Sequence, residues 1–166
     1  VNEESDEAYY VFSENPQLRE AYELALGKFL VAFNAIENNT SRLVWRALHA
    51  KGLASLADLL AKQRFDLRLD TLKALIADID RLDYLDVESL KRLSEERNHL
   101  AHGHFSVDPY SGEHQIEGQK RSTAANRKAL DSLNEWTQEA VRLAHTLSEA
   151  EMSFWFDYEG EIPERP

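Results

Sequence analysis

Residues 16–52 read PQLREAYELALGKFLVAFNAIENNTSRLVWRALHAKG, and their periodicity decides the fold. Leu18, Tyr22, Ala25, Phe29, Phe33, Ile36, Thr40, Leu43 and Ala47 recur every three or four residues, the spacing of one face of an α-helix. Pro16 suits the first helical position, with Asn15 as the cap before it. Gly52 supplies a stop after residue 50. The polar run Asn38, Asn39, Thr40 and Ser41 interrupts this stretch, and either softens the helix locally or faces a polar site. A helix of this length needs neighbours to cover its apolar face, and the rest of the chain offers them.

Ser55 reads as the cap of a short helix, SLADLLAK. A further helix follows in RFDLRLDTLKALIADIDRL, with Leu72, Leu75, Ile76, Ile79 and Leu82 at helical spacing. Residues 83–86 form a tight link, and Asp86 caps a helix whose stripe is Leu90, Leu93, Arg97 and Leu100, stopped by Gly103. Residues 104–118 change character. Phe105 and Val107 alternate with polar residues, DPYSG is a turn, and Ile116 follows, which predicts a small hairpin-like insert. A last helix is expected from about 123 to 151, with Leu130, Leu133, Trp136, Ala140, Leu143, Ala144 and Leu147 on its core face. The expected organisation is an acidic lead-in over 1–15, an all-α bundle of four to five helices over 16–151, and an aromatic tail over 152–166.

Composition agrees with helix. Leu and Ala dominate, and six glycines and four prolines break 166 residues, a length that suits one domain. There is no cysteine, which excludes disulfides and thiolate zinc sites and fits a reducing, cytoplasmic setting. No run of about 18–20 apolar residues exists to span a bilayer, and the acidic start VNEESDEAYY lacks the basic and then apolar pattern of a signal peptide. The formal net charge is −11, so the surface repels phosphate backbones at long range. A nucleic-acid role then requires a local basic site.

The chemistry concentrates in ERNHLAHGHF, residues 96–105. Arg97 stands in an apolar stripe where leucine is expected, and a buried charge needs a partner. A structural ion pair with Glu37, beside Ile36 and Phe33 on the long helix, is one reading. Asn98 and His102 are four apart and share a helix face. Arg97 and His102 are five apart, about 140° around a helix, so they converge only if the last turn loosens or two chains meet. A metal site at His99, His102 and His104 lacks a nearby carboxylate and must reach across Gly103, so neither metal nor cofactor is expected. Residues 118–130, GQKRSTAANRKAL, carry Lys120, Arg121, Arg127 and Lys128 and no acid. They are either a solubilising helix start or an RNA backbone contact.

RNHLAHG resembles the RN-x-x-AHG form of the Arg-to-His motif found in the HEPN superfamily (higher eukaryotes and prokaryotes nucleotide-binding). FNAIENN, within the long helix, is similar to that family's first core helix, which often carries a glutamate. The resemblance spans 16–150 and leaves the insert and the aromatic tail unexplained. It implies an α-helical bundle that dimerises with its motif helices facing each other, and a metal-independent endoribonuclease of bacterial toxin or phage-defence systems, with an antitoxin as a partner. Arg97 would stabilise phosphate charge, His102 would be the general acid/base, Asn98 would assist, and Glu37 would orient Arg97. Some toxin members continue the motif to a tyrosine that is modified; His104 stands there in this chain. Other members are non-catalytic interaction modules, and that is the alternative reading.

Overall fold

The computed structural model describes residues 16–102, 104–107, 114–117, 122–124 and 127–157. Five α-helices are present among them: α1 (Pro16–Ala50), α2 (Ala54–Leu60), α3 (Phe65–Ile76), α4 (Val87–His102) and α5 (Arg127–Asp157). A 3-10 turn, Asp80–Leu82, stands between α3 and α4. Between α4 and α5 the chain forms strands β1 (His104–Val107), β2 (His114–Glu117) and β3 (Ser122–Ala124). The architecture is an all-α bundle with a small antiparallel insert, as the residue pattern predicts.

The long amphipathic stretch is one unbroken helix. Every predicted core position from Tyr22 to Ala47 is buried, Thr40 included. Its end is a glycine reversal. Gly52 has φ 73°, its N–H donates to His49 O at 2.8 Å, and Leu53 N–H donates to Leu48 O at 2.9 Å. This pair of bonds satisfies two carbonyls that the helix end would otherwise leave open. The reversal also corrects the expectation at Ser55. Helix α2 already starts at Ala54, Leu53 occupies the cap position, and no side chain caps it. The backbone leaves the glycine turn in position to resume helix, so no side-chain cap is required.

Two further boundaries differ from the sequence reading. Helix α3 stops at Ile76, and the periodic Ile79 and Leu82 belong to the 3-10 segment and its approach. Leu82 is still fully buried, because three residues per turn also return a side chain to the core. Thr123, expected to begin the last helix, lies in β3, and α5 starts at Arg127 and runs past residue 151 to Asp157. Edge pairing with β2 takes 122–124 out of the helix, since Ile116 faces Thr123 in the ladder.

The chain separates into two compact units, Val1–Val31 with Ser94–Gln138, and Ala32–Leu93 with Glu139–Pro166. In the first unit Phe29 packs on Trp136 with ring centres 6.0 Å apart. Burial pushes the Tyr22 hydroxyl up to about 12 by penalising its charged form. In the second unit Phe33 meets Phe65 edge-on at 5.3 Å. There the polar run of α1 holds neighbouring elements. Asn39 Nδ2 donates to Ala144 O at 2.8 Å and Ser41 Oγ to Ala61 O at 2.6 Å. Seven residues beyond each partner of the first bond, Arg46 Nε donates to Glu151 Oε1 at 2.5 Å. Both bonds join residues 105 apart, so α1 and α5 run parallel in this unit.

Candidate functional site

Helix α4 carries the motif. Asp86 anchors its start as expected. Its carboxylate accepts from Ser89 N at 2.9 Å and from Ser89 Oγ at 2.7 Å. These two bonds hold the Asp86 carboxyl below the usual range. Leu90, Leu93 and Leu100 are buried, so the stripe read from the sequence is the helix's core side.

Arg97 occupies the remaining stripe position and is half-buried. Arg97 Nη1 donates to Asn98 Oδ1 at 3.0 Å. Asn98 itself is exposed and His99 is half-buried. With its oxygen engaged by Arg97, the exposed Asn98 has its amide N–H groups left as donors. The pair brings guanidinium and amide donors together, which suits an oxyanion ligand. His102 is the last residue of α4, and its side chain lies outside the described residues. So do Gly103 and the side chain of His104. A helix C-terminus favours positive charge by its dipole, which agrees with a basic motif at this end.

The antiparallel insert has an informative register. His104 pairs with Glu117 across β1 and β2, and Glu117 pairs with Ser122 across β2 and β3. These three residues form one row at the end of the sheet where α4 delivers the chain into β1. Neighbouring strands lie about 4.8 Å apart, so Ser122 is roughly two strand spacings from His104. Phe105 and Ile116 face each other in the next row.

Of the candidate basic residues, Lys120 and Arg121 lie outside the described residues. Arg127 and Lys128 open α5, and their side chains are likewise outside. No acidic residue occupies that first turn. Glu37 sits on α1 in the second unit, half-buried, with its backbone carbonyl accepting from Arg68 Nη1 at 2.7 Å. Arg97 belongs to the first unit. Among the described residues no group of three or more His, Asp or Glu side chains is placed to hold a metal, and no helix is long and apolar enough to cross a membrane.

The sequence reading missed a second polar centre. Arg46 and Glu151 are both buried and paired. Glu151 carried a signal, because it continues the α5 stripe through Leu143, Leu147 and Phe154. Its partner carried none, being joined only by the packing of two distant helices. Comparisons with known protein families, curated proteins and solved structures found no match.

Proposed function

We propose that the chain is a metal-independent endoribonuclease of the HEPN type, a cytoplasmic bacterial toxin or phage-defence component working as a homodimer. One observation carries this reading. Arg97 stands at a core-stripe position, stays half-buried and is held by Asn98, so a donor array is fixed one turn before the His102 helix end. In this reading Arg97 and Asn98 bind the scissile phosphate, and the guanidinium takes up the charge that grows on the phosphorane. An imidazole of His102 removes the 2′-OH proton as that oxygen attacks phosphorus. The P–O5′ bond breaks, and the leaving oxygen is protonated by the partner's equivalent imidazole. The products are a 2′,3′-cyclic phosphate and a free 5′-OH.

Support for a substrate path comes from the insert. In the sequence Lys120 and Arg121 stand between Glu117 and Ser122, which pair in the row shared with His104. Arg127 and Lys128 stand in the first turn of α5, where the dipole disfavours cations, so helix stability is not their reason for being there. An antitoxin with a complementary basic face would suit the acidic surface.

The test is incubation of purified protein with mixed RNA in EDTA. The expected outcome is cleavage to 2′,3′-cyclic phosphate ends. Rate should fall roughly 10²–10⁴-fold in His102→Ala, with nearly unchanged melting, and collapse in Arg97→Ala. Light scattering should give twice the monomer mass. The net charge of −11 favours a second reading, a non-catalytic interaction module. A normal dimer that cleaves no RNA would establish it.

A further inference from the structure

In the first unit, α1 turns Tyr22, Ala25 and Phe29 into the core. Leu24, with Gly27, Lys28 and Val31 three, four and seven residues after it, forms another face of the same helix. All four are exposed. An amphipathic helix ordinarily turns charged and polar groups to water. Here Val31 is 71% and Leu24 60% exposed, the two highest values for a large apolar side chain among the described residues. Between them nothing lies within 4 Å of where a Gly27 Cβ would stand. A glycine inside a helix is unfavourable. An open notch between two apolar side chains gives it a use, because a flat group can lie across the backbone there. Lys28 is the only charged residue from 24 to 31.

The stripe is small for a second protein. A stable interface takes about 800 Å² from each partner, whereas the helix rises only about 10 Å from Leu24 to Val31. That length suits a few extended residues, and the sequence just before α1 supplies them. Residues 1–15 lie outside the described residues, and Tyr9, Tyr10, Val11 and Phe12 stand together there after Glu3, Glu4, Asp6 and Glu7. The lengths agree. From Pro16 the helix rises about 12 Å to Leu24 and about 22 Å to Val31. Fully extended, the chain from Pro16 back to Phe12 spans at most about 14 Å, and back to Tyr9 about 25 Å. A chain that doubles back along α1 thus brings Phe12 level with Leu24 and Tyr9 level with Val31. Rings of this kind cover apolar surface and leave a tyrosine hydroxyl in water. Residues 1–15 carry acids and no base, and the stripe carries a lysine and no acid, so charge also favours the contact.

We infer that the Leu24–Val31 face of α1 is a docking surface for residues 9–12 of the same chain, which double back and lay their aromatic rings across Gly27. The surface owes nothing to the α4 motif, so it stands or falls separately from the ribonuclease reading.

The experiment uses the full chain, with ¹³C-labelled Leu and Val methyl groups. Nuclear Overhauser contacts are expected from the Leu24 and Val31 methyls to ring protons of Tyr9, Tyr10 and Phe12. Brief chymotrypsin digestion, with the cut sites read by mass spectrometry, supplies a second measure. Val31→Glu puts a charge on an exposed position, and Gly27→Glu puts a charged side chain into the open notch. Both should melt near wild type, lose the contacts, and be cut after residues 9–12 at least about tenfold faster, since cleavage follows the population of the open form. Arg97→Ala should keep the wild-type contacts and cutting rate. Folded wild type without these contacts, or cut as fast as Val31→Glu, would overturn the proposal. So would contacts found only between differently labelled chains in a mixed sample, which would identify a second copy as the source of the segment.

Discussion

At the scale of single residues, polar atoms decide where the bundle is vulnerable. Glu151 is 1% exposed and Arg46 5%, so removing one leaves the other as an uncompensated charge. Glu151→Ala should therefore lose about 3–5 kcal/mol in a denaturant titration. The double change Arg46→Met/Glu151→Leu should lose much less, because no buried charge remains. Asp86 acts at the surface through its bonds to Ser89. Its carboxyl is lowered in the folded chain, so the unfolded chain binds the proton more readily. The stability it contributes is present above its unfolded value and is lost as pH falls through the folded one. Asp86→Asn keeps a capping acceptor without that titration. Its unfolding midpoint should fall less steeply than that of wild type between neutral pH and about pH 3. Arg97 was legible at this scale from its place in a leucine stripe. The Arg46–Glu151 pair was not, because a contact between residues 105 apart leaves no local trace.

At the scale of elements, the two described glycines make opposite demands on the chain. Gly52 ends α1 at φ 73° with open space where a Cβ would go. Gly52→Ala meets no clash and pays only the left-handed conformation, a loss of about 1–2 kcal/mol. Gly27 lies inside the same helix, again with open space around it. Gly27→Ala should gain roughly 0.5–1 kcal/mol by restricting the unfolded chain and favouring helix. Thermal melts of the two variants, expected to move in opposite directions, check both. Helix existence was legible because apolar residues recur at the helical interval in every element. Boundaries were not. Ile79 and Leu82 keep that interval after the backbone has tightened past Ile76. Around Thr123 the strand pairs with β2, and a short sequence holds no sign of such a partner.

At the scale of the whole molecule, charge is the governing quantity. A formal charge of −11 on 166 residues opposes compaction by self-repulsion. Raising salt from about 0.01 M to 0.15 M shortens the screening length from about 30 Å to about 8 Å. The melting temperature should rise over that range in calorimetry, and a flat response would show that the acids are already compensated locally. Local pairs do exist, such as Lys51 with Asp78 and Arg92 with Glu139, but exposed pairs contribute little each.

The parallel pairing of α1 with α5 also sets a timetable. Asn39 and Arg46 leave the ribosome before Ala144 and Glu151, the groups that receive their hydrogen bonds, which are 105 residues further on. At about 5–20 residues per second, the interval is several seconds or more. During it Asn39 and Arg46 lack these partners, while Phe33, Ser41 and Trp45 can already meet Phe65, Ala61 and Asp58. The pairing of α1 with α5 in this unit therefore closes only after the elements between them have been made.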